Sequence, residues 1–263
     1  MIGALVGDIV GSVYEFDNLK RTDFSPLFRA DCKFTDDSVC TIAVADALLD
    51  GSDPARALLN WCERYPGRGY GGRFAGWLAR RDLKPYGSFG NGSAMRVSPA
   101  GLLARSLAEA RELATRVTVV THDHPEGIKG AVATAEAIYL ARTGASAGAI
   151  RRHVADAHGY DMARTTDTIR PVYQFNETCQ ETVPEALVCA LEATGFEQAI
   201  RLAISIGGDS DTVAAIAGPL AEARFGVPDV IAQAARARLP ADMLAVLDAL
   251  YARAALRPPP DRL

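Results

Sequence analysis

Apolar residues recur every three to four positions through most of this chain, and the strict alternation expected of half-buried strands is scarce. The pattern predicts helices over residues 2–15, 36–50, 54–65, 72–80, 106–121, 126–143, 146–157, 184–194, 196–205, 211–225 and 240–254. Turns containing Gly, Pro and Asp separate them. Helices in this number bury their apolar faces only by packing in more than one layer, so the expected fold class is all-α, a compact orthogonal multi-helix bundle. Residues 1–256 read as a single domain. The Arg257-Pro258-Pro259-Pro260 run cannot continue a helix, and 257–263 reads as a frayed tail.

The first helix carries Ile2, Leu5, Val6, Ile9, Val10 and Val13 around most of its circumference and should be buried. Asp8, Ser12 and Glu15 fall at i, i+4 and i+7, a polar stripe on an otherwise apolar element. A buried carboxylate needs a partner. The stripe either reaches solvent, caps a neighbouring helix, or serves chemistry.

Two acidic motifs interrupt the pattern far apart in the chain: Thr35-Asp36-Asp37-Ser38 and Gly207-Gly208-Asp209-Ser210-Asp211-Thr212. Each opens an apolar helical run, so both carboxylate pairs are expected at helix N-termini. Asp, Ser and Thr are common helix caps, and either motif alone reads most simply as a cap. Two such motifs admit another reading. Four carboxylates gathered at one place would repel one another unless protons or cations intervene. Carboxylate and hydroxyl oxygens are hard donors suited to Mg²⁺, Mn²⁺ or Ca²⁺, and no Cys or His set of the kind Zn²⁺ prefers lies near either motif.

Composition narrows the setting. The chain has 263 residues, 49% of them hydrophobic, enough for a large core. A formal net charge of -4, without charged blocks, argues against a nonspecific nucleic-acid surface. Five cysteines (Cys32, Cys40, Cys62, Cys179 and Cys189) without CxxC spacing suit buried thiols in a reducing compartment, with no disulfide framework. No basic leader precedes the N-terminal apolar stretch, and no apolar run approaches the roughly 20 residues of a membrane span. The expectation is a soluble cytoplasmic protein, monomeric and without a membrane partner.

Two further segments have ligand-binding character. Tyr86-Gly87-Ser88-Phe89-Gly90-Asn91-Gly92-Ser93-Ala94-Met95-Arg96 is too glycine-rich for a regular element, but offers amides, hydroxyls and two aromatic rings. Such a loop can cradle phosphate and stack a base, or it can be a surface loop whose rings plug the core. Thr121-His122-Asp123-His124-Pro125-Glu126-Gly127 precedes a helix whose Pro125 suits the first turn. Here His-x-His is a weak metal signal, and His124 and Asp123 read as structural or capping residues. His153 and His158 read as surface residues.

Taken in order, Gly7-Asp8-Ile9-Val10-Gly11-Ser12-Val13-Tyr14-Glu15, the first acidic motif, Gly90-Asn91-Gly92-Ser93-Ala94-Met95-Arg96, Thr121-His122 and the second acidic motif resemble the ADP-ribosylglycohydrolase family across nearly the whole chain. The resemblance implies an all-α fold with a two-metal centre, Mg²⁺ or Mn²⁺, beneath an ADP-ribose cleft. It implies metal-binding roles for Thr35, Asp36, Asp37, Asp209, Asp211 and Thr212. Glu15 matches the acidic residue after the first helix that is essential for turnover in the serine-linkage hydrolases, and is the candidate general acid/base, with Asp36 also at the reacting centre. Gly87, Ser88, Phe89, Asn91, Gly92 and His122 match the phosphate and adenine pocket.

The implied reaction is hydrolysis of the C1″ bond of an ADP-ribosylated acceptor, protein, nucleic acid or small molecule, through an oxocarbenium-like transition state. Five carboxylates, Glu15, Asp36, Asp37, Asp209 and Asp211, carry about -5 if all ionised, which two divalent cations largely offset. Two other readings remain: a metal-dependent all-α nucleotide pyrophosphohydrolase, and a catalytically silent ADP-ribose-binding relative.

Overall fold

The computed structural model describes residues 1–255, and among these the regular structure is fifteen helices and no strand. In order they are α1 (Ile2–Gly11), α2 (Asp36–Asp50), α3 (Pro54–Arg64), α4 (Gly72–Arg80), α5 (Gly92–Met95), α6 (Ser98–Leu103), α7 (Leu107–Thr118) and α8 (Pro125–Arg142). There follow α9 (Ala147–His158), α10 (Thr166–Ile169), α11 (Cys179–Glu192), α12 (Phe196–Ser205), α13 (Ser210–Phe225), α14 (Asp229–Arg236) and α15 (Ala241–Ala255). The expected all-α class holds. The tail read as frayed lies outside the described residues. No helix among the described residues is long and apolar enough to cross a membrane.

Local signals start the helices where the sequence suggests. Asp53 caps α3 by accepting from the Ala55 amide with Pro54 at the first turn, and Ser106 and Ser146 cap α7 and α9 from the Glu109 and Ala149 amides. His124 caps α8 through its ring, accepting from Glu126 N at 3.2 Å, as the capping reading required.

Four expectations need correction. The helix expected over 2–15 stops at Gly11: Ser12 is its C-cap, its hydroxyl spent on Ile9 O at 2.9 Å, so Asp8, Ser12 and Glu15 do not form one helical stripe. The helix expected from 184 begins at Cys179, with Pro184 inside it. Pro184 removes one N–H from the ladder, and burial of Cys179 against Gly130 of α8 holds the earlier turn. The glycine-rich segment is irregular only to Asn91; Gly92–Met95 form a short helix whose turn closes on Asn91 O from Ala94 N and Met95 N, at 2.9 and 3.0 Å. Nor are His153 and His158 free surface residues. Both ring Nε2 atoms lie against Oε2 of fully buried Glu136, at 2.8 and 2.7 Å, because a carboxylate buried on α8 requires partners from α7 and α9. Arg111 completes the set from α7 at 2.9 Å.

Buried helices form the centre. Every residue of α1 is buried, as is Ser210–Ala221 of α13. α8, α11 and α13 pack on one another, α1 and α12 flank α13, and α2 lies among α1, α3, α6 and α15. The approach of α1 to α13 is unusually close. Gly3, Gly7 and Gly11 share one face of α1, and a Cβ at each would sit 2.3 Å from Gly218 O, 2.1 Å from Ala214 O and 2.4 Å from Asp211 Cα. Only hydrogen fits there, so the glycines let the two backbones touch. The contacts run antiparallel, which delivers the C-terminus of α1 to the N-terminus of α13.

Candidate functional site

That meeting point assembles the site. α13 begins with the second acidic motif, α1 ends just before Glu15, and α2 is fastened to both. Asp8 of α1, fully buried, accepts from Thr35 N at 2.9 Å, Thr35 Oγ1 at 2.6 Å, Ser38 N at 3.0 Å and the Ser38 hydroxyl. Asp8 thus caps α2 from a distance and fixes the first acidic motif. Thr212 Oγ1 donates to Asp37 Oδ2 at 3.3 Å, joining motifs that are 175 positions apart. Asn18 clasps the Gly-Gly entry of the second motif, accepting from Gly208 N at 2.7 Å and donating to Gly208 O at 2.9 Å. Gly207 and Gly208 both have φ of +72°, and a Cβ at Gly208 would lie 2.4 Å from the Tyr173 ring, so glycine is required there on two counts.

The result is a dense group of acids. Oxygens of Asp8, Asp37 and Asp211 lie within 4.8 Å of one another, as do those of Glu15, Asp209 and Asp211. Asp211 belongs to both sets, and Asp36 lines the same cleft. Electrostatics show the strain. Burial, then repulsion from Asp8, Asp36 and Asp209, raises the Asp37 carboxyl far above the usual range, and Asp211 is raised likewise by burial and by Asp37 and Asp209. Burial, with Asp8, Asp209 and Glu15, brings Asp36 to about 8. Burial, with Asp209, Glu177 and Asp8, brings half-buried Glu15 to about 7.

These residues suit divalent cations. Oδ1 of Asp37 is buried without a hydrogen-bond partner, and the donors gathered here are all carboxylate and hydroxyl oxygens. A cation would meet the orphaned oxygen and relieve the repulsion that lifts Asp37 and Asp211.

The acids open into a cleft of about 500 Å³, also lined by Tyr86, Ser88, Phe89, Asn91, Gly92 and His122. Asn91 reaches from this loop to donate to Asp209 Oδ2 at 2.7 Å, so its amide holds an acid in place. Phe89 is 38% exposed and its ring lies 5.2 Å from that of His124. His122 is buried, its pKa pushed well below the usual value by burial and by Arg96 and Arg73, and its Nδ1 meets Thr121 Oγ1 at 2.8 Å. The ring is neutral. A Cβ at Gly92 would come within 3.4 Å of His122 Nε2, so that glycine keeps the ring's edge clear.

Not every expected residue falls in the cleft. Gly87 does not line it; its amide is spent on Asp123 Oδ1 at 2.7 Å and its φ of +64° shapes the turn. Thr35 lies behind, its hydroxyl proton given to Asp8. Sequence reasoning also missed contributors. Asp8 was marked as a carboxylate in an apolar helix in need of a partner, but was given no place in the site. Arg73, Glu177, Thr178 and the glycines Gly69, Gly71 and Gly72 line the cleft with no motif to mark them.

Known proteins share this arrangement of chain. A family model described as ADP-ribosylglycohydrolase matches residues 1–260. ADP-ribosylhydrolase ARH3 of Danio rerio is 26% identical over 305 residues, covering 88% of this chain and 82% of that protein. ADP-ribosylarginine hydrolase Tri1 of Pseudomonas putida (strain GB-1) is 28% identical over 264 residues, covering 86% and 70%. Among solved structures, one titled ADP-ribosylglycohydrolase-related protein complex superposes with a TM-score of 0.72 at 25% identity, over 96% of this chain and 97% of its own. With acidic motifs at the N-termini of two helices, a glycine-rich loop beside them and a family match running through all of these segments, the chain belongs to the ADP-ribosylglycohydrolase family.

Proposed function

We propose that the protein is a metal-dependent hydrolase that cleaves the C1″ glycosidic bond of an ADP-ribosylated acceptor and releases ADP-ribose. The observation that carries this reading is the convergence of Glu15, Asp36, Asp37, Asp209, Asp211 and Thr212 in one cleft with Phe89 and His122. Asp36, Asp37, Asp209 and Asp211, with the hydroxyl of Thr212, would hold two divalent cations, Mg²⁺ or Mn²⁺, which when bound polarise oxygens near the anomeric carbon and offset the carboxylate charge.

The remaining roles belong to the chain itself. Ser88, Phe89, Gly92 and His122 bind the adenosine and diphosphate, with the Phe89 ring available for stacking. Neutral His122 donates or accepts a hydrogen bond without adding charge. Asn91 steadies Asp209, and Asp8 fixes Thr35 and Ser38 on either side of the Asp36-Asp37 pair. Glu15 is the general acid/base: it takes a proton from the attacking water as oxygen bonds to C1″, and passes that proton to the departing acceptor atom as the C1″ bond breaks. Its raised pKa, near 7, suits both directions of transfer.

The test is a panel of defined ADP-ribosylated acceptors incubated with protein and Mg²⁺ or Mn²⁺, with products resolved by chromatography. Intact ADP-ribose is the expected product, and its release should stop with a chelator. Release of AMP would indicate pyrophosphate cleavage instead, and no product from any acceptor would leave a binding protein.

A further inference from the structure

A second cavity of about 300 Å³ opens onto the same acids from another side. Glu15, Asp36 and Gly69 line both spaces, so the two meet at the residues assigned to the chemistry. The walls of the second differ from those of the first. Apart from Glu15 and Asp36 its charged lining is cationic, Lys33 and Arg68, and its rings are Phe16 and Phe34. Neither cation forms an ion pair among the described residues. Arg68 is braced over the Phe34 ring, 3.8 Å from its centroid, and donates to Phe34 O at 3.3 Å, contacts that hold the guanidinium without a carboxylate partner. Phe16 is 86% exposed and stacks with Phe175, 45% exposed, with centroids 6.1 Å apart. Lys33 also acts on Glu15 across the cavity, opposing the rise of its carboxyl.

If ADP-ribose fills the larger cleft, the atom bonded to C1″ lies at the junction and whatever it belongs to must lead away from it. We propose that the second cavity receives the acceptor, and that Lys33 and Arg68 select an acidic protein segment whose modified side chain is not itself cationic. This rests on the glycohydrolase reading. A guanidinium leaving group would approach two unpaired cations, an unfavourable encounter that disfavours arginine-linked substrates. Carboxylates flanking the modified residue would meet the same cations favourably. A nucleic acid fits less well, because two cations beside a crowd of carboxylates on a chain of net charge -4 cannot offset a polyanion.

The experiment compares three ADP-ribosylated peptides at saturating Mg²⁺ or Mn²⁺: serine-linked with acidic flanks, serine-linked with basic flanks, and arginine-linked with neutral flanks. The acidic-flanked peptide should exceed the basic-flanked one in kcat/KM by roughly ten-fold, with the arginine-linked peptide poorest. In the Lys33→Glu/Arg68→Glu double variant the acidic-to-basic ratio should fall below one. The ratio cancels any effect on Glu15 shared by both substrates, and ADP-ribose affinity by calorimetry verifies that the larger cleft is intact. An unchanged ratio in the double variant, best turnover on the arginine-linked peptide, or faster release from an ADP-ribosylated oligonucleotide would overturn the assignment. Absence of turnover on every substrate by metal-loaded wild type would instead sink the glycohydrolase reading itself.

Discussion

Replacing Gly7 by Ala tests whether the contact between α1 and α13 builds the site. In an exposed helix interior this change should stabilise by about 0.8–1.0 kcal/mol, because alanine loses less backbone entropy. Here the added Cβ would sit 2.1 Å from Ala214 O, some 1.3 Å short of the 3.4 Å at which ordinary contact begins. Backbone cannot turn aside as a flexible side chain can, so the helices must separate. Overpacking of this kind costs roughly 1–3 kcal/mol, and the upper end applies when backbone meets backbone. The expected sum is a loss of about 1–2 kcal/mol, opposite in sign to the propensity effect. Separation also moves Asp8 away from Asp211, whose oxygens now lie within 4.8 Å of each other, so Mn²⁺ affinity should fall at least ten-fold. Urea unfolding gives the first quantity and calorimetric titration with Mn²⁺ the second. A Gly7→Ala protein as stable as wild type or more so, with unchanged metal affinity, would refute the reasoning.

Other expectations follow from single residues. Phe89→Ala should weaken ADP-ribose binding about ten-fold by calorimetry, since base stacking on a ring is worth about 1–3 kcal/mol, while metal content stays constant. Asp211→Asn removes a carboxylate shared by both acid groups. Metal-free unfolding should therefore show no loss of stability, whereas the stabilisation of about 2.7 kcal/mol expected at metal concentrations 100-fold above Kd should vanish. Glu136 is held near 2, because hydrogen bonds from His158, His153 and Arg111 outweigh its burial. A carboxyl depressed from its ordinary value of about 4.3 stabilises the fold above that pH and loses the contribution as pH falls toward the folded value near 2. Discounted for screening at half-exposed Arg111, the effect is on the order of 1–2 kcal/mol. It should appear as a stability difference between wild type and Glu136→Gln that shrinks between about pH 4.3 and pH 2 in acid-unfolding curves.

The helices that pack on the core were legible because their apolar positions follow a helical period over three or more turns, as in α2, α8 and α13. The short α5, α6, α10 and α14 were not, because four to eight residues offer too few periods and their stability comes from neighbours. Among site residues, Asp36, Asp37, Asp209 and Asp211 declared themselves through their place at helix starts. Of the two routes to Glu15, the helical stripe fails because α1 ends at Gly11, whereas the resemblance placed it after the first helix, where Ser12 stops the helix and the chain turns toward the start of α13. Arg68 and Lys33 carry no local signal, since a lone basic residue in a loop is unremarkable until folding sets it beside a cavity. The pairing of Glu136 with His153 and His158 was equally hidden, because burial of a glutamate within an alanine-rich helix depends on which face its neighbours cover.

The central claim is that the converged acids perform hydrolysis with Glu15 as the proton-transfer group, and Glu15→Gln tests it most directly. The substitution keeps shape and most hydrogen bonding while removing the charge and the exchangeable proton. Single-turnover release of ADP-ribose at saturating substrate, from protein verified as folded and metal-loaded, should slow by about 10²–10⁴-fold, with KM little changed and ADP-ribose affinity retained. A metal-loaded Glu15→Gln protein whose chemical step proceeds at nearly the wild-type rate would contradict the account.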